Sequence, residues 1–254
     1  MMGENFMRIE YDYKSTDEKY DFRWNTPNDL YLIKLREEFK LDEIVCDCKT
    51  SFEKAKKIMN WVHNLWEHDG LKEPIKNDPI SILREVQAGK RFRCVEYGIV
   101  ISGCLNALGI LARKLCLKTA DVETREYAAG HVVLEAYIEE YDKWIFIDGQ
   151  FNVIPVINDV PLNVLEFQRA LIDKDKALEL FTFGEINKEE YFKWIKDYLF
   201  YFDVRFDNRL ESEAVDSLML IPIGANTPKV FQKKYQLNNY IYTNSVQAFY
   251  TVRK

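Results

Sequence analysis

Apolar positions recur at helical spacing in the first part of the chain and alternate with polar ones in its middle, so the pattern predicts a helical region followed by a sheet. In "TSFEKAKKIMNWVHNLWEHDG", Phe52, Ala55, Ile58, Met59, Val62, Leu65 and Trp66 form one stripe; Thr50 and Glu53 suit a capping box, and Gly70 is the expected stop. An earlier helix is predicted in "NTPNDLYLIKLREEFK", started by Thr26 and Pro27, with Leu30, Ile33 and Leu35 at roughly helical spacing. Asp78 and Pro79 open a third helix that Gly89 ends, and an apolar fourth runs from Cys94 to Leu108. Strand-like runs follow in "LARKLCLKTA", "HVVLEAYIEE" and "KWIFIDGQF", the last two forming a hairpin. Helical spacing returns in "PLNVLEFQRALIDKDKALELF" and "NKEEYFKWIKDYLFYF", and the end, "NNYIYTNSVQAFYTV", reads as strand.

No repeat, low-complexity linker or Gly/Ser hinge interrupts the 254 residues. The expectation is therefore one α+β domain, 1–254, in which a core at 46–160 is preceded by an extension at 1–45 and followed by elements at 161–254 packed on it. No apolar stretch is long enough to span a bilayer, and "MMGENFMRIEYDYK" lacks the apolar segment of a secretory leader, so no membrane is expected and the cytoplasm is the default location. A net charge of -6, without a basic block, argues against nucleic acid as a partner. Five irregularly spaced cysteines do not make a disulfide framework and are expected as thiols. The pattern leaves the oligomeric state unassigned.

One cysteine changes this bland picture. Cys94, in "RFRCVEYG", opens a helix, where unpaired N–H groups and the macrodipole favour a thiolate, and Arg91 and Arg93 add positive charge beside it. A base is available if the hairpin turns symmetrically about Glu140 and Tyr141. That register puts His131 opposite Gln150 and Val133 opposite Asp148, so His131 and Asp148 share a face as diagonal neighbours ~7–8 Å apart at the backbone. The other face, with Val132, Leu134, Ala136, Ile138, Ile145 and Ile147, reads as core, whereas Glu135, Tyr137, Trp144 and Phe146 beside His131 read as the lining of a cleft. A thiol, an imidazole and a carboxylate so arranged suit nucleophilic acyl transfer: Cys94 attacks, His131 takes its proton and Asp148 fixes the imidazole.

Around these residues, "RFRCVEYGIVISGCLNALGILARKL" and "GHVVLEAYIEEYDKWIFIDGQFN" resemble the core of the transglutaminase-like superfamily. The resemblance covers about 100 residues, Thr50 to Asn152, and implies a cysteine-protease-like core with Cys94, His131 and Asp148 as its triad. The wording Arg-Cys-x-Glu-aromatic is nearest to the peptide N-glycanase branch, which releases N-linked glycans from misfolded glycoproteins; that branch carries paired CxxC zinc ligands, where this chain has only Cys46 and Cys48 in "CDC". His63 and His68, five apart, do not complete a standard zinc pattern, so neither metal nor cofactor is expected. Gln87 is a candidate oxyanion donor beside the Cys94 N–H, and Glu96 and Trp144 are candidate substrate-positioning residues. The expected partner is a peptide, protein or other amide substrate. Hydrolysis by a peptidase- or amidase-like enzyme, transfer to an amine, and a non-catalytic binding module all remain open at this level.

Overall fold

A computed structural model describes residues 9–16, 20–26, 28–210 and 212–251. Helices α1 (Leu30–Glu38), α2 (Leu41–Ile44), α3 (Ser51–His63), α4 (Pro79–Gln87) and α5 (Cys94–Ala107) lead into strands β1 (Ala112–Lys118), β2 (Gly130–Ile138) and β3 (Lys143–Ile147). Then come β4 (Val153–Ile157), β5 (Val160–Pro161), α6 (Val164–Asp173), β6 (Leu178–Thr182), α7 (Lys188–Ile195), β7 (Tyr201–Arg205), β8 (Ser217–Leu220), β9 (Val230–Phe231), β10 (Tyr235–Gln236), β11 (Tyr240–Thr243) and α8 (Val246–Phe249). The six-stranded main sheet has the order β11-β8-β7-β1-β2-β3, antiparallel except for the β11–β8 pair. No helix among the described residues is long and apolar enough to cross a membrane.

Hairpin β2–β3 has the expected register, Leu134 opposite Ile147 and Ile138 opposite Lys143. The face that carries the even-numbered residues of β2 meets α5: Leu134, Ala136 and Ile138, with Ile145 and Ile147 of β3, join Val100, Ile101 and Leu105 in one buried cluster that also takes the inner faces of α1, α3 and α4. Gly98 permits the close approach, since a Cβ there would lie 3.2 Å from both Val132 Cγ1 and Val133 O.

The opposite face is not a cleft along its length, contrary to the sequence expectation. Val133 and Phe146 are buried there against Val164 and Phe167 of α6 and Ile195 of α7, in a second core, while Glu135 and Trp144 are covered as well. Alternation of side chains showed two faces but could not show that chain from beyond residue 161 returns to cover the second.

Other boundaries also shift. Helix α1 is capped by Asp29, whose side chain accepts from Tyr31 N–H, and not by Thr26; Pro27 lies outside the described residues, as do residues 1–8 of the opening segment and Val252 at the end. Leu32 and Leu35 are its buried residues, while Leu30 is 82% exposed. Helix α3 does stop before Gly70, because Asn64 folds back on the Asn60 carbonyl and Trp66 leaves the helical path to stack on Tyr97, ring centroids 4.3 Å apart. The segment expected as helix to Phe181 divides into α6 and β6, and the terminal "strand" region divides into β11 and α8, capped by Ser245.

Candidate active site

Helix α5 begins at Cys94 because Arg93 is extended and Glu96, at the third helical position, accepts a hydrogen bond from the Arg93 N–H at 3.0 Å. Both Glu96 oxygens are held by Arg93, whose guanidinium is 2.8 Å from the carboxylate, and Glu96 is fully buried. Glu96 therefore shapes the helix start and has no free face for a substrate, which corrects its reading as a substrate-positioning residue. The arginine charges expected to bathe the thiol are likewise taken up: Arg91 pairs with Glu67, and Arg93 with Glu73 and Glu96. Cys94 itself is partly exposed on the first turn.

His131, the second residue of β2, is 3% exposed, and its Nε2 lies 2.8 Å from Asp148 Oδ2. Asp148 follows β3 and is saturated with donors: Gln150 N–H at 3.1 Å and Phe151 N–H at 3.2 Å reach Oδ1, and the Tyr191 hydroxyl donates to Oδ2 at 3.0 Å. The Cys94 thiol lies near enough to the imidazole to favour its charged form. With Nε2 committed to Asp148, Nδ1 is the nitrogen left for it. Burial opposes charge on the ring, but the Asp148 carboxylate and then Cys94 outweigh it, and the imidazole is raised to about 10. Gly149 lets Asp148 come this close to α5: a Cβ there would sit 2.3 Å from Ile101 Cδ1.

Two expected residues lie elsewhere. Gln87 ends α4 on its exposed side, because Ile82, Leu83 and Val86 are the residues turned inward, and this placement does not favour it as an oxyanion donor. Trp144 is 2% exposed and stacks on Trp24 and the Arg113 guanidinium, so it is a core ring and not a substrate platform. Conversely, no local signal in the sequence pointed to Tyr191 and Trp194 of α7. Trp194 meets the His131 ring edge to face at 4.9 Å and, with Phe151 and Tyr198, encloses it. A helix starting well beyond the hairpin, at Lys188, could be recognised from its period, but nothing local said which face of the sheet it would close.

His63 Nδ1 is 3.2 Å from the carbonyl of Gly149, the residue after Asp148, and His68 is lowered by burial and by the positive charge of His131. No group of three or more His, Cys, Asp or Glu side chains among the described residues could hold a metal ion; Cys46 is exposed.

Comparison with known proteins bears on this site. Residues 40–149, the segment with Cys94, His131 and Asp148, match the transglutaminase-like superfamily. No curated protein matches the chain. Among solved structures it is similar to a "Putative Cysteine Protease from Cytophaga hutchinsonii", with 14% identity, a TM-score of 0.38, and coverage of 63% of this chain and 54% of that one. It is also similar to a protein described as a TGase (19% identity, TM-score 0.36, 49% and 33% covered) and to red sea bream transglutaminase (16%, 0.33, 50% and 28%). The chain thus spans about half the length of the first and about a third or less of the others.

Proposed function

We propose that this protein is a cysteine-nucleophile enzyme that hydrolyses an amide bond, with Cys94 as nucleophile, His131 as general base and acid, and Asp148 as the group that orients and charges the imidazole. The observation that carries the reading is the position of His131, buried with Nε2 on Asp148 at 2.8 Å and near enough to a partly exposed thiol at a helix N-terminus for that thiol to favour its charged form. The match of residues 40–149 to the transglutaminase-like superfamily supports it.

Protonated His131 beside the sulfur favours the thiolate, which attacks the amide carbonyl to form a C–S bond. The oxyanion that develops lies near the free N–H groups of the first turn of α5, of which Cys94 N–H is one. Collapse breaks the C–N bond as His131 delivers its proton to the departing amine. Water then gives a proton back to His131, its oxygen attacks the thioester, and the thiolate leaves. An amine in place of water gives transfer with the same residues; hydrolysis is preferred because the simplest acceptor suffices.

Iodoacetamide at neutral pH, with the modified residue located by mass spectrometry, tests the reading. Cys94 should react far faster than the buried Cys104, whose thiol burial pushes up, and faster than Cys116, pushed up to about 11 by burial. Equal rates would remove the catalytic assignment. A panel of amide substrates with and without an added primary amine then separates hydrolysis from transfer.

A further inference from the structure

Where the main sheet extends beyond α5, the face that carries the even-numbered residues of β1 is polar. Lys114 and Cys116 of β1 lie beside Asp203 and Arg205 of β7 on the floor of an open groove, and Lys118 is buried next to Asp203. One wall is made by Val95 and Val132, the neighbours in sequence of Cys94 and His131, and the other by the loop Gln236–Asn239 with Tyr240. One end of the groove therefore lies beside the first turn of α5, which carries Cys94, and from there it runs along the sheet.

Its charges are unbalanced. Lys118 and Asp203 form an ion pair, which uses up the one carboxylate on the floor. Among the described residues the side chains of Lys114 and Arg205 have neither an ion pair nor a hydrogen bond, although they lie close enough to repel each other. Burial, and then Arg205, lower Lys114 to about 8. Keeping a half-buried ammonium without a partner next to a guanidinium is unfavourable to folding, since desolvation is not offset by pairing. A floor with no ligand to hold would be more stable with an apolar residue at position 114.

We propose that this groove is the substrate cleft and that Lys114 and Arg205 receive a carboxylate side chain of an acidic peptide. The proposal rests on the reading of Cys94 as nucleophile and names the substrate class of that site. Distance supports a peptide. The stem of Lys114 passes Gly98, one turn of α5 beyond Cys94, which is ~6 Å of helix rise. An extended chain advances ~3.3 Å per residue, so the carboxylate sits about two residues from the attacked amide. Lys114 and Arg205 would then be specificity residues for the reaction.

The test is direct binding. Two pools of hexapeptide amides with a neutral fluorophore, identical except that one carries Glu where the other carries Gln, are titrated by fluorescence anisotropy against the Cys94→Ala protein, which binds without turnover. The Glu pool should bind about tenfold tighter or more, the scale of a charge-assisted contact. In the Lys114→Met/Arg205→Met background the preference should fall to within about twofold, while the melting temperature stays level or rises because the unpaired cations are gone. Equal binding of the two pools, or a preference that survives the double substitution, overturns the proposal. Displacement of the Glu pool by inorganic phosphate at the same concentration assigns the groove to a free anion and overturns the peptide assignment. The two readings fail separately: a sluggish Cys94 thiol removes the catalytic one and leaves the Glu preference measurable, whereas equal pools remove the subsite and leave Cys94 reactive.

Discussion

Strand β2 carries two buried acid–base pairs on one face, and only one of them lies beside a thiol. Near its start, His131 meets Asp148 at 2.8 Å; four residues on, Glu135 meets Arg113 of β1 at 3.0 Å, with both side chains fully buried. Both carboxylates are well supplied with donors, Glu135 by the Val164 N–H that opens α6 and by the Tyr250 hydroxyl. The difference lies in the partner. The guanidinium stays charged, donates to the Phe249 carbonyl, and lies over the rings of Trp144, Phe249 and Phe22. The imidazole is a group that can lose its proton, and its remaining nitrogen serves a thiol that solvent reaches. Burial and pairing alone do not mark a reactive site; a titratable partner with one unfilled function does.

The strongest test of that distinction removes the function itself. Cys94→Ala should reduce turnover of any amide substrate by about 10⁴-fold or more and leave the fold intact, as the side chain is partly exposed. Cys104→Ala, in the core, should change the melting temperature and not the rate.

Asp148→Asn comes next, expected to lower kcat by about 10³- to 10⁴-fold, because the amide can hold the imidazole in the wrong tautomer. It also has a signature in stability. His131 is raised to about 10 in the folded protein against ~6.5 unfolded. Folding therefore gains from its protonation fully below about pH 6.5, and that gain disappears as pH rises towards 10. Urea unfolding of the wild type should show stability declining over this window, and the slope should flatten in Asp148→Asn. A slope that is the same in both proteins would show that the carboxylate does not hold the proton on the ring.

At the Arg113 end the effect should be on folding and not on rate. Glu135→Gln strands a buried guanidinium and should lose about 3–5 kcal/mol in urea unfolding, while iodoacetamide labelling of Cys94 in the folded protein keeps its rate. Arg113→Met with Glu135→Leu should recover much of that loss, since neither charge then needs a partner. Slower labelling of Cys94 in the double variant would mean that the two ends of the face are coupled and the contrast is false.

This contrast also separates what was legible in the sequence from what was not. Period and caps were enough for α3, α4, α5 and the β2–β3 register, because Thr50, Asp78, Gly89 and the alternation from Val132 to Ile147 are local signals. They brought Cys94, His131 and Asp148 together on paper. The surroundings depend on distant chain: Glu135 is bound by residues 29 and 115 positions away, and Arg113 by one 136 away. Hence Trp144 and Phe146 looked like cleft residues, and the strands β7 and β8 that build the polar groove were invisible within segments read as helix or left unassigned.

The smallest expected effect belongs to Tyr191, which separates support of the Asp148 carboxylate from packing around it. Its hydroxyl donates to the same Asp148 oxygen that holds His131, so Tyr191→Phe removes one donor and keeps the ring against Phe151 and Trp194. A single hydrogen bond of this kind contributes about 1 kcal/mol, so kcat should fall several-fold with KM unchanged. The direction of the pH effect is the sharper readout. Asp148 Oδ2 no longer shares its charge with the phenol and binds the imidazolium more tightly, so His131 should keep its proton to higher pH. The high-pH decline in stability should then move upward from that of the wild type, opposite in sign to a loosening of the site. A downward shift, or a loss of stability equal at all pH values, would make Tyr191 a packing residue like its neighbours at the Arg113 end.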